Sequence, residues 1–107
     1  MVNDYDLDSL CSKVRTSVKS LYSYSSLVAD LELLPSQCQK INSPELRHEF
    51  FIIWNDMELI NACALSEWEE CGRPSNNLFN RIWDNKYKKD ASILIDKLVL
   101  FLSKIAK

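Results

Sequence analysis

The stretch ECGRPSNNLFNRIWDNKYKKDAS, Glu70 to Ser92, holds the only glycine of the chain. Upstream of it, EWEECG reads as a helix closed by a glycine just past its last residue, because that position commonly takes a left-handed backbone that glycine adopts without steric penalty. Pro74 and Ser75 then start another helix, in which Leu78, Phe79, Ile82 and Trp83 form one compact apolar face. DNKYKKD reads as a polar, basic loop, and Asp90 or Ser92 caps a last helix, ASILIDKLVLFLSKIAK. That helix is apolar on most of its circumference, which predicts burial on several sides or a share in an interface.

The same punctuation extends toward the N-terminus. Leu7, Leu10, Cys11, Val14, Val18 and Leu21 recur at steps of three and four, so DLDSLCSKVRTSVKSLY is predicted as an amphipathic helix with an acidic first turn. SYSSLVADLELLP offers serine N-caps, an apolar set of Leu27, Val28, Leu31 and Leu34, and a proline stop; PSQCQKINS is a short helical piece ending near Asn42. Ser43 and Pro44 open SPELRHEFFIIWNDMELINACALSEWEE, long enough for two helices with a break near Asn55. One glycine and three prolines in 107 residues are too few for the tight turns of a sandwich or barrel. The expected fold is all-α, a single domain over residues 1–107, with Trp54, Trp68 and Trp83 in its core.

Cys11, Cys38, Cys63 and Cys71 lack the spacing of a zinc site or of a disulfide framework, and they are read as small hydrophobes in a reducing compartment. MVNDYDLD is acidic and leads into no apolar core of signal-peptide length, and LVLFL at Leu98 to Leu102 is far too short to span a bilayer. The expectation is a cytoplasmic protein with no membrane association, cofactor or metal. His48 has no nucleophile or carboxylate at a telling spacing, and no glycine-rich loop exists to cradle phosphate, so an enzyme is not expected.

Charge is divided along the chain. Residues 1–72 carry five Lys/Arg against twelve Asp/Glu, and residues 73–107 carry eight against three. A basic segment after an aromatic-rich helix, on a chain whose other part is acidic, fits protein recognition by charged surfaces that can meet head to tail. The alternative is a small helical nucleic-acid-binding or regulatory protein that uses Lys86, Lys88 and Lys89 with Tyr87 between them.

GRPSNNLFNRIWDNKYKKDASILIDKL resembles the death domains of the Toll and interleukin-1 receptor pathway, the group of the Pelle and interleukin-1-receptor-associated kinases and the Tube adaptor. Gly72, Arg73, Pro74, Ser75, Leu78, Ile82, Trp83, Leu94, Ile95, Asp96 and Leu98 carry the resemblance, and SSLVADLELLPSQCQKINS is similar to the family's second and third helices. The tryptophan that often opens the second helix falls near Tyr24 in one register and at Trp54 in another, and both registers stay open. The resemblance implies an antiparallel six-helix bundle without an active site, an adaptor that assembles signalling complexes in innate immunity by stacking on other death domains. The implied partners are an adaptor, a receptor tail or a kinase's death domain, with self-association as a further possibility. Candidate contact residues are Arg73, Asn77, Arg81, Asp84, Lys86, Lys88 and Lys89 on one surface, and Asp30, Glu32, Glu67 and Glu70 on an acidic one.

Overall fold

A computed structural model describes residues 7–106; residues 1–6, among them Asp6 at which the predicted first helix begins, and residue 107 lie outside the described residues. Among the described residues the structure is helical with no strand: α1 (Leu7–Thr16), a 3₁₀ turn (Ser17–Lys19), α2 (Leu21–Leu31), α3 (Leu34–Gln37), α4 (Pro44–Glu70), α5 (Asn76–Ile82), a π-helical turn (Trp83–Tyr87) and α6 (Lys88–Ile105). No helix among them is long and apolar enough to cross a membrane.

The first predicted helix ends earlier than its periodicity suggests. Thr16 and Ser17 turn their hydroxyls back onto the carbonyls of Lys13 (3.2 Å) and Val14 (2.7 Å). Such local bonds compete with the helical ladder. Ser20 then extends (φ −158°, ψ 160°) and its hydroxyl accepts from the Ser23 amide at 3.1 Å, so Leu21 belongs to α2. The piece after Pro35 is shorter than expected and stops at Gln37, not near Asn42.

Ser43 caps α4 through the Leu46 amide and Pro44 fills its first turn, as the sequence predicts. The expected break near Asn55 is absent. Neither Gly nor Pro interrupts residues 45 to 71, and the inward positions Phe50, Ile53, Met57, Asn61 and Ala64 keep helical spacing straight through it. One exposed asparagine costs a helix only about 0.7 kcal/mol. At 27 residues, α4 is roughly 40 Å long, matching the 41 Å longest dimension of the molecule.

The predicted basic loop DNKYKKD is likewise helical. It contains no breaker, and its chain runs from α5 through the π turn into α6 without leaving the right-handed helical region. The π turn has a packing cause. Phe79, Trp83, Tyr87 and Ala91 follow one another at steps of four, which would rotate the stripe by about 120° around a straight α-helix. The Lys88 amide bonds to the Trp83 carbonyl, a turn one residue wider than α, which absorbs that drift. Trp83 and Tyr87 stay stacked on the inner side, with ring centroids 6.1 Å apart.

α2 and α6 pack on α4, α6 runs antiparallel to it, and α1 packs on α6. The core is built from Leu27, Leu31, Met57, Phe79, Trp83, Leu98, Phe101 and Leu102 with their neighbours. All three indole N–H groups reach backbone carbonyls: Trp54 to Val28 (3.0 Å), Trp68 to Pro74 (2.8 Å) and Trp83 to Val18 (2.6 Å). Trp83 is fully buried, whereas Trp54 and Trp68 are packed against the core edge. The buried Tyr24 ring lies 5.3 Å from Trp83, and its hydroxyl donates to the Met57 carbonyl. Burial raises the Tyr24 pKa, with a further push from the charge of Glu58.

Candidate interaction surface

The glycine stop has the geometry that the sequence predicts. Gly72 takes φ 87°; its amide bonds to the Glu69 carbonyl, and the next amide, Arg73, bonds to the Trp68 carbonyl, both at 3.0 Å. Those two bonds are a Schellman closure. A Cβ at Gly72 would meet nothing within 4 Å, so only the positive φ demands glycine there. Arg73 is also left-handed (φ 57°). Its side chain reaches back to Glu69 at 3.0 Å, and the Trp68 indole holds the Pro74 carbonyl. This doubly left-handed link aims the chain into α5, where Ser75 accepts from the Leu78 amide.

α5 presents a different face from the one expected. Phe79 and Trp83 are buried, but Leu78 is 73% exposed, between Asn77 and Arg81, which are also exposed. Leu78 follows the polar residues outward because the inward stripe passes through Phe79. Beside the link, Leu21, Tyr22, Leu65, Trp68, Pro74 and Phe79 line an open apolar groove of about 200 Å³. Neither the outward Leu78 nor this groove is readable from spacing alone, since both depend on which side α2 covers.

The predicted basic cluster is largely tied down. Lys86 lies 2.9 and 3.0 Å from the two carboxylate oxygens of Glu67, and Lys88 lies 3.9 Å from Asp84. The Tyr87 hydroxyl donates to Glu67 at 2.5 Å. The Tyr87 hydrogen bond and then the Lys86 contact hold the Glu67 carboxyl below its ordinary pKa. Burial and the bond to Glu67 push the Tyr87 phenol up to about 12. A tyrosine stacked on Trp83 and bonded to Glu67 is not presented for stacking on a base, and of the three lysines Lys89 alone has no ion pair among the described residues.

The acidic candidates do not form one surface. Asp30 on α2 pairs with Lys13, and Glu32 lines a pocket with Phe50 and Trp54 of the first half of α4. Glu67 and Glu70 sit at the other end of α4, roughly 25 Å away at 1.5 Å per residue. Glu67 and Lys86, expected on opposite surfaces, bond to each other. Asn77 and Arg81 lie on α5, Arg73 in the link before it and Asp84 in the π turn after it, and all four are exposed.

Cys63 and Cys71 are exposed, Cys11 is half-buried, Cys38 is buried, and all four are free. Among the described residues no three His, Cys, Asp or Glu side chains gather closely enough to hold a metal ion. The fold and this surface define an all-helical protein with an exposed polar and apolar face on a short, firmly aimed helix. No family model, no curated protein and no solved structure matches the chain.

Proposed function

We propose that the protein is a helical interaction module of the death-domain kind, an adaptor that assembles signalling complexes by stacking on other death domains and that uses the outer face of α5 for contact. The observation that carries this reading is Leu78. A large apolar side chain, 73% exposed and flanked on α5 by the exposed Asn77 and Arg81, has the make-up of an interface centre with a polar rim. The Schellman link behind it holds that face at a fixed angle to α4, and rigid presentation lowers the entropic cost of binding. The death-domain form of the proposal rests on the resemblance over Gly72 to Leu98. Six α-helical segments are present among the described residues, but α4 is long and α5 continues into α6, a departure from six separate helices.

The test is titration of the fluorescently labelled chain with a death domain of the Toll and interleukin-1 receptor pathway, read by anisotropy. Leu78→Asp and Arg81→Glu should each weaken binding at least about tenfold with unchanged thermal melting, since both side chains are exposed. Gly72→Val should lower melting as well as binding, because the forced left-handed backbone costs on the order of 1 to 2 kcal/mol. Undiminished binding by the Leu78 and Arg81 variants would place the contact surface elsewhere.

A further inference from the structure

Seven residues separate Ile52 from Leu59 on α4, and seven separate Ile93 from Leu100 on α6. Each pair therefore lies on one line down its own helix, about 10 Å apart. The antiparallel packing sets the two lines side by side. Ile52 and Leu100 line a shared groove of about 370 Å³ with Glu49, Lys97 and Lys104. The register fixed by Glu49 with Lys104 and by Glu67 with Lys86 puts Leu59 level with Ile93. All four apolar side chains are exposed, at 49% for Ile52 and Ile93, 58% for Leu59 and 72% for Leu100. Between the two apolar levels stand Asp56 and Lys97, both exposed, and among the described residues neither enters an ion pair or hydrogen bond.

We propose that this α4/α6 flank docks a second copy of the same chain, with the two-fold axis parallel to the helices. In that arrangement α4 of one copy lies antiparallel over α6 of the other at the same level. Ile52 meets Leu100 of the second copy, Leu59 meets its Ile93, and Asp56 meets its Lys97, each contact occurring twice as two-fold symmetry requires. Charge selects this axis. A two-fold axis across the helices would set α4 on α4, bringing Asp56 onto Asp56 and Lys97 onto Lys97 in a seam that excludes water, and like charges so placed repel. The parallel axis makes four helices, antiparallel to their neighbours, around two apolar layers with a charged layer between them, as in four-helix bundles. A foreign helix would have to supply its own apolar pair and matching charges; a second copy supplies both. The seam does not involve α5, so this inference stands independently of the function proposed above.

Sedimentation equilibrium of the full chain from about 5 to about 500 µM tests it, a range that covers small interfaces of modest affinity. The wild type should show a monomer–dimer equilibrium. Leu100→Glu should weaken it at least about tenfold with an unchanged circular-dichroism melt. Asp56→Lys and Lys97→Asp should each be monomeric alone, and an equimolar mixture of the two should dimerise, because every cross-copy contact at that level again joins an acid to a base. Arg81→Glu should dimerise as the wild type does, which separates this seam from the α5 face. A wild type that stays monomeric throughout, a Leu100→Glu variant that dimerises equally well, or a charge-variant mixture that stays monomeric overturns the proposal.

Discussion

At both ends of the seam that α4 makes with α6 and the π turn leading into it an acid and a base close on each other, while at its middle an equivalent acid and base stay apart. Glu49 meets Lys104 at 2.5 Å and Glu67 meets Lys86 at 2.9 Å. Seven residues along α4 from Glu49 is Asp56, and seven back along α6 from Lys104 is Lys97, so the middle couple keeps the same register. The ends use glutamate, one methylene longer than the aspartate of the middle. The Glu67 end has a further holder, since Tyr87 donates to the same carboxylate. Level placement is thus necessary for a cross-helix pair and not sufficient; side-chain reach and a neighbour that fixes the carboxylate decide whether the pair closes. Exposed pairs contribute only up to about 1 kcal/mol each, so what separates ends from middle is less stability than availability.

Removing what lies under the Glu67 end disturbs it most severely. Trp83→Ala deletes a fully buried indole, its bond to the Val18 carbonyl, and the surface on which Tyr87 stacks. Loss of about 3 to 5 kcal/mol is expected, read from denaturant unfolding midpoints.

A milder change sharpens the same end. Tyr87→Phe leaves Glu67 with Lys86 alone and should cost about 1 kcal/mol at neutral pH. Its signature lies in the pH profile. The Tyr87 phenol is raised from 10.0 to about 12 in the folded chain. Its contribution is therefore complete below pH 10 and is lost as pH rises toward 12. The Glu67 carboxyl is lowered from 4.5, so its contribution is present above that value and lost as pH falls below it. Thermal melts across pH should show Tyr87→Phe with a smaller alkaline component, the buried Tyr24 phenol supplying what remains, and a weaker acidic one; identical profiles for variant and wild type would mean that the hydroxyl bond is not formed in solution.

The smallest effect belongs to the open middle. Asp56→Asn should change unfolding free energy by less than about 0.5 kcal/mol at concentrations where the chain is monomeric, measured by chemical denaturation. A larger loss would show that Asp56 is held within its own chain after all.

Legibility in the sequence followed local chemistry. Ser43 with Pro44, Gly72, and Ser75 were readable as helix boundaries because each acts on backbone groups within a few residues. The segment from Asp84 to Asp90 was not, because polarity suggested a loop while the absence of Gly and Pro, with the four-residue steps from Phe79 to Ala91, better describes a helix that widens by one residue. Of the candidate residues, the helical position of Asn77 and Arg81 on α5 was legible from the serine cap and the apolar spacing that follows it. The exposure of Leu78 and the pairing of Lys86 with Glu67 were not, since each depends on how α2 and α6 settle against α4. Division of charge along the chain did not become division of charge in space: Lys86 and Lys104 from the basic part fold back onto Glu67 and Glu49 of the acidic part.

The three indole bonds have an optical consequence. Each ties a tryptophan to one joint of the molecule: Trp83 to the 3₁₀ turn after α1, Trp54 to the body of α2, and Trp68 to the link before α5. A loosened joint would expose its own indole to water and shift that residue's emission. Variants that keep one tryptophan and carry phenylalanine at the other two exposed-edge or buried sites would then follow each joint separately, without an attached dye, from ordinary breathing to the docking of a partner against the link.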